Sequence, residues 1–279
     1  MTGARDEYQR DPPMHRSRRY HVRVEVDLDG HPGLLLRPDK ARCLYVLAHG
    51  AGAGMRHAFM TDIAAALAEH GVATLRWEFP FMAAGKPRPD PAPVAEAAVR
   101  AVWTAARARF ADLPMFAGGK SFGGRMTSRA HAAATLKDVR GLVFLGFPLH
   151  PPEKPGTRTE RGGFTPPRGP RTERGGFTPP RKIERAEHLA TAAGPLLFVQ
   201  GTRDDLARLE LLKPVVKKLG ARATLHIVDH ADHGFDVLVR SGRTEAEVFA
   251  EIATTVAAWM DGVIVASCGR ATRRGTRRS

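Results

Sequence analysis

The stretch Gly119-Lys120-Ser121-Phe122-Gly123 sets one serine between two glycines in the pattern G-x-S-x-G. That spacing suits a hydroxyl nucleophile standing on a sharp strand-to-helix turn, where larger flanking side chains would collide with the turn. The context supports it. Pro114–Ala117 reads as the end of a strand, a helical pattern begins at Phe122, and Gly124 extends the run of small residues. Gly-Lys-Ser also closes a phosphate-binding loop pattern, but that pattern needs a glycine where Pro114 stands, so it is set aside. A serine hydroxyl is a weak nucleophile without a base. The partners of such a serine follow it as acid and then histidine, each beyond a later strand. After PLLFVQG come Asp204 and Asp205; Asp204 is taken as the acid, with Asp205 as its alternative. After ATLHIVD comes His230-Ala231-Asp232-His233-Gly234; His233 is taken as general base and then acid, with His230 as its alternative. Two backbone N–H groups should hold the developing oxyanion. One belongs to Phe122, and the other is placed at Ala51 in the small-residue loop His49–Gly54.

Glu78, on the same rim, is expected to shape the substrate pocket by pairing with Lys120 or Arg125, or else to be a solvated loop charge. Phe79, Phe81 and Met82 could line an acyl pocket or pack in the core; Glu78, Phe79 and Met82 are carried forward as pocket residues. His49, at a strand end, is expected to hold the following turn in shape. Trp103 and Trp259 fall on helix faces and read as core. The loop holding Asp229, His230, Asp232 and His233, with His226 upstream, matches no defined zinc spacing, so no metal is expected, nor any other cofactor.

The elements that must position these groups alternate strand and helix. Tyr20–Leu28 and Gly33–Arg37 suggest an opening antiparallel pair. Strands are expected at 43–50, 72–77, 114–119, 141–147, 195–201 and 223–229, with helices at 57–71, 93–110, 122–136, 183–190, 206–220 and 244–262. The pattern implies an α/β fold, a mostly parallel sheet with helices on both faces and its ligand site beyond the carboxyl ends of the strands. Residues 20–265 form the expected domain. Residues 1–19 and the basic tail 266–279 read as disordered. Within the domain, 156–168 and 169–181 are near-identical thirteen-residue copies rich in Gly, Pro and Arg, so 151–182 reads as a flexible insertion that could act as a flap through Phe164 and Phe177.

The chain has 279 residues and a net charge of +14. Residues 1–20 hold five arginines against three acids, 154–182 eight Lys/Arg against two glutamates, and 266–279 five arginines and no acid; the remainder is close to neutral. Basic residues confined to such segments do not make a folded binding face, so no specific nucleic-acid partner is expected. No apolar run approaching about 20 residues is evident, and no apolar leader opens the chain, so no membrane insertion is expected. Cys43 and Cys268 cannot form a disulfide framework, which points to a cytoplasmic setting.

LAHGAGAGM, LRWEFPFMAAGKPRP, AGGKSFGGRM, LGFPLHPP, FVQGTRD and ADHGF, in this order between Arg42 and Trp259, resemble the small bacterial α/β-hydrolases related to dienelactone hydrolases. The resemblance is closest to the branch that shares its core with a vertebrate testis-expressed protein and a regulatory subunit of the NSL histone acetyltransferase complex. It implies the α/β-hydrolase fold, Ser121 as nucleophile, and Asp204 and His233 as its partners. Dienelactone hydrolases proper carry Cys where this chain has Ser121, so their substrate is not implied. The expected function is serine-dependent hydrolysis of an ester or thioester of a small-molecule acyl substrate through an acyl-enzyme. The alternative is a non-catalytic scaffold of the same fold that binds a protein partner.

Overall fold

The computed structural model describes residues 20–150 and 184–275. The N-terminal segment 1–19, the expected flap with Phe164 and Phe177, and residues 276–279 lie outside the described residues. The strands are β1 (Tyr20–Asp27), β2 (Pro32–Pro38), β3 (Cys43–Ala48), β4 (Val72–Trp77), β5 (Met115–Lys120), β6 (Leu142–Leu145), β7 (Leu196–Gly201) and β8 (Ala223–Val228). They form one sheet in the order β1-β2-β4-β3-β5-β6-β7-β8. β1 pairs antiparallel with β2, and β2 with β4; every later pairing is parallel.

The burial pattern explains the arrangement. Every residue of β3, β4, β6 and β7 is buried, as expected of strands covered on both faces; β3 and β6 are apolar throughout, while β4 buries Thr74 and Arg76 and β7 buries Gln200. On one face α1 (Ala58–Glu69) contributes Phe59, Met60, Ile63 and Leu67, and α6 (Glu245–Gly275) contributes Val248, Ile252, Val256 and Met260. On the other, α3 (Ala92–Arg109) and α4 (Phe122–Ala133) bury Ala95, Val99, Val102, Trp103, Met126 and Ala130, and α5 (Leu209–Leu219) adds Leu212.

Four features depart from the sequence reading. A short helix, α2 (Pro80–Ala83), follows β4, started by the preset φ of Pro80. Glu184–Ala190 is a 3₁₀ rather than an α-helix. α5 begins at Leu209, and Pro214 lies inside it. α6 runs on to Gly275, through much of the tail expected to be disordered from 266. Its Glu245–Ser267 portion is also long and apolar enough, by length and composition alone, to cross a membrane, contrary to the expectation that no such run exists. In this fold its inner face covers the sheet.

Two buried histidines are built as neutral rings. His49 takes the Phe79 N–H on Nε2 at 3.0 Å and donates from Nδ1 to Gly50 O at 2.7 Å. His131 takes the Leu136 N–H on Nδ1 at 3.2 Å and donates from Nε2 to Ala193 O at 3.0 Å. Burial lowers both below their ordinary value of 6.5. A proton added to either ring would displace a backbone N–H from its acceptor. The stability these rings contribute is therefore complete above pH 6.5 and declines as the pH falls below it. Calorimetric melting should show Tm level from pH 7 to 8 and falling toward pH 5, with a shallower fall in His131→Asn. An unchanged slope in that variant would contradict the assignment.

Candidate active site

Ser121 caps α4 at the end of β5 with φ 49° and ψ −114°, a left-handed conformation that costs a non-glycine residue about 1–3 kcal/mol. The neighbours hold it there. Ser121 N–H donates to Leu145 O at 3.0 Å, and Arg125 N–H donates to Ser121 O at 3.1 Å. The flanking glycines make room for this packing. A Cβ at Gly119 would lie 2.3 Å from Ala48 O, and one at Gly123 would lie 2.5 Å from His49 O.

The loops after β7 and β8 bring the other groups in. His233 Nε2 is 2.8 Å from Ser121 Oγ, and His233 Nδ1 is 2.7 Å from Asp204 Oδ2. The Asp204 side chain is fully buried, whereas that of His233 is 24% exposed, open to the cavity. The Asp204 oxygens also accept from Gln200 Nε2 and from Leu206 N–H, the latter at 2.8 Å. Gln200 is in turn fixed by Phe147 N–H on its Oε1 at 3.0 Å. With Nδ1–H donated to the carboxylate, the Nε2 lone pair faces the serine hydroxyl, the tautomer a general base needs. The two alternatives lie elsewhere. Asp205 is exposed, and His230 turns the chain with φ 64° while its N–H donates to Thr202 Oγ1.

The expected pairing of Lys120 with Glu78 is not made. Instead its ammonium donates to His233 O and lies over the rings of Phe59 and Phe235, at 5.4 and 5.2 Å from their centroids. Burial lowers it from 10.5 to about 8, against the opposing pull of Asp204, Asp232 and Asp236. It ties the β5–α4 turn to the loop that carries His233. Lys120→Met should lower kcat roughly 10- to 100-fold with a smaller change in KM, because a misplaced base slows chemistry more than binding. Steady-state kinetics at pH 7 would measure this, and an unchanged kcat would refute the tie.

The small-residue loop after β3 is clamped from behind. Met55 N–H donates to Glu78 Oε1 at 2.8 Å, Arg76 Nη1 donates to Met55 O at 3.0 Å, and His49 receives the Phe79 N–H. A Cβ on Gly50 would be 3.9 Å from Ser121 Cβ, so this loop runs beside Ser121. Ala51, Phe122, Ser121 and His233 all line one cavity of about 720 Å³.

Glu78, Phe79 and Met82 do not line that cavity, which corrects their assignment as pocket residues. Glu78 faces the back of the loop. Phe79 is turned inward at the start of α2 and packs on Trp77 and Phe122, at 4.3 and 5.2 Å between ring centroids. Met82 packs against the core. The apolar walls come instead from Phe59 and Met60 of α1 and Phe249 of α6. No sequence signal places those helices over the site. Arg125, also in the wall, did carry one, since it follows Ser121 by a single helical turn. Gln200, near the end of β7, carries no sequence signal because its role depends on the loop that follows.

The residues considered for a metal do not converge. His226 pairs with Glu251 at 2.7 Å, and Asp232 Oδ1 accepts the Gly234 and Asp236 N–H groups of its own loop. Cys43 is a poor rival nucleophile, because burial pushes its thiol from 9.0 up to about 12.

The profile of the alpha/beta hydrolase domain family matches residues 41–162 and 176–261. Among solved structures, dienelactone hydrolase from Anabaena variabilis is similar at 17% identity and a TM-score of 0.62, over 88% of this chain and 99% of that one. Est1E from Butyrivibrio proteoclasticus is similar at 17% identity and a TM-score of 0.56, over 87% and 98%. An α/β serine hydrolase without a lid from Xanthomonas campestris is similar at 18% identity and a TM-score of 0.55, over 89% and 98%. At such identities the likeness speaks for the fold, and the family match extends through the segments that carry Ser121, Asp204 and His233. The chain belongs to the α/β-hydrolase family, with the fold of the dienelactone-hydrolase-like members.

Proposed function

We propose that this hydrolase cleaves an ester or thioester of a small molecule through an acyl-enzyme on Ser121. The observation that carries the reading is the continuous hydrogen-bonded series Ser121–His233–Asp204 opening into a cavity. In this scheme His233 Nε2 takes the Ser121 proton as Oγ attacks the acyl carbonyl. The oxyanion is received by the amides of Phe122 and Ala51; such donors are each worth on the order of 10²–10³ in turnover. Asp204 stabilises the imidazolium, and His233 then protonates the leaving alkoxide or thiolate. Water, deprotonated by the same ring, attacks the acyl-serine and returns the enzyme. These steps need no other group.

A rapid-quench experiment with short p-nitrophenyl esters and acyl thioesters tests this. Intact-mass analysis should show one acyl group gained on the peptide carrying Ser121 before steady turnover. Hydrolysis at undiminished rate in Ser121→Ala would overturn the reading.

A further inference from the structure

We propose that the cavity carries a second recognition point, Arg125 with Arg185, which selects acyl substrates bearing a carboxylate a few bonds from the ester carbonyl. The proposal rests on the hydrolase reading for its chemistry but on a separate set of residues for its binding. Arg125 stands four residues after Ser121 on α4, and side chains at that spacing are neighbours on one helix face, about 5–6 Å apart at Cβ. Its guanidinium lies over the Phe122 ring, 5.8 Å from the centroid, so it borders the expected oxyanion site. Its Nε is buried without a hydrogen-bond partner among the described residues. Arg185, from the 3₁₀ helix Glu184–Ala190, lines the same cavity.

No ion pair neutralises either guanidinium among the described residues. Glu96, outside the cavity lining, lends Arg125 only a long-range opposing charge and is itself paired with Arg129 Nε at 2.6 Å. Burial, and then the charges of Arg185 and Arg129, hold Arg125 down to about 10. The same positive surroundings reach His188, which burial with Arg129 and Arg125 pushes down to about 4. Half-buried cations with open donors and like-charged neighbours are costly until an anion is bound. A carboxylate matches the planar fork of a guanidinium and forms strong charge-assisted bonds with it.

The other charged groups of the cavity lie toward different elements. Asp62 on α1 faces Arg76 and His57, Asp236 faces Lys120, and Glu245 begins α6. Asp90, in the loop before α3, leaves its Oδ2 buried and without a hydrogen-bond partner among the described residues, and would favour a cationic or hydroxyl-bearing ligand. The sign of the tail charge is therefore the deciding variable.

The test compares kcat/KM for monomethyl glutarate, dimethyl glutarate and methyl 4-aminobutyrate. The protein as found should prefer the monoester to the diester by about tenfold or more. That ratio should fall at least tenfold in Arg125→Gln and in Arg185→Gln, and less in Arg125→Lys. A preference for the neutral or ammonium ester would overturn the proposal, as would variants that slow all three esters equally. Calorimetric titration of Ser121→Ala with monomethyl glutarate separates the two readings. Binding lost on adding Arg125→Gln, with no turnover in the parent, would sink the hydrolase reading and keep the anion site. Turnover of the diester with no binding of the monoester would do the reverse.

Discussion

Ser121→Ala is expected to reduce ester turnover by about 10⁴-fold or more while leaving the fold intact. The change removes only Oγ, whose partner in the structure is His233 Nε2 at 2.8 Å. Alanine keeps the Cβ, so the strain of φ 49° is neither added to nor relieved. The bonds that hold the elbow, Ser121 N–H to Leu145 O and Arg125 N–H to Ser121 O, are backbone bonds and survive. Tm should therefore move little while kcat/KM collapses. Residual rate would come from the oxyanion donors and from binding. A variant that keeps a tenth of the parent rate would remove Ser121 from the chemistry.

Asp204→Asn is expected to cost on the order of 10⁴ in kcat, for a different reason. An amide presents N–H₂ or C=O to His233 Nδ1. If the amide nitrogen turns toward Nδ1, the ring proton moves to Nε2 and the ring can no longer accept the serine proton. If the amide oxygen faces Nδ1, the ring keeps its tautomer but the imidazolium loses a negative charge held in a fully buried place. Leu206 N–H, which bonds Oδ1, favours an oxygen there and so turns the amide nitrogen toward His233 Nδ1, whereas Gln200 Nε2, which shares Oδ2 with the histidine, favours the opposite turn; either orientation disables the ring. Asp205→Asn, one residue on and exposed, should change kcat less than twofold. Steady-state rates of the two variants side by side decide between the neighbours. An equal loss in both would place the effect in the loop rather than in the carboxylate.

The sheet and the order of the site groups were legible because each rests on local chemistry. β4 is legible at its observed bounds, since Val72–Trp77 is a short, mainly apolar and β-branched or aromatic stretch after a glycine. The elbow was legible because only glycine fits at 119 and 123, where backbone oxygens stand within 2.3–2.5 Å of any added Cβ. Asp204 and His233 stand out by their positions after strands, but that they, rather than Asp205 and His230, line up with Ser121 depends on the turns that bury one aspartate and swing one ring inward. The pocket differs from the expectation because Glu78 stands behind the small-residue loop while Phe79 and Met82 pack into the core. Whether a side chain faces a cavity or the core depends on the helix that follows, here a four-residue α2 with no periodicity to read. The place of Lys120 is illegible in the sequence for a related reason. Its two aromatic neighbours come from α1 and from the loop after β8, distant in sequence.

The most direct test of the account is labelling with a fluorophosphonate at neutral pH, read by intact mass and peptide mapping, on the parent protein beside Ser121→Ala and His233→Ala. The account expects one adduct, on Ser121, in the parent, none in Ser121→Ala, and labelling slowed by orders of magnitude in His233→Ala. Folded parent protein that stays unlabelled, or labelling that survives Ser121→Ala, would contradict an activated serine at this site and leave a non-catalytic member of the hydrolase family.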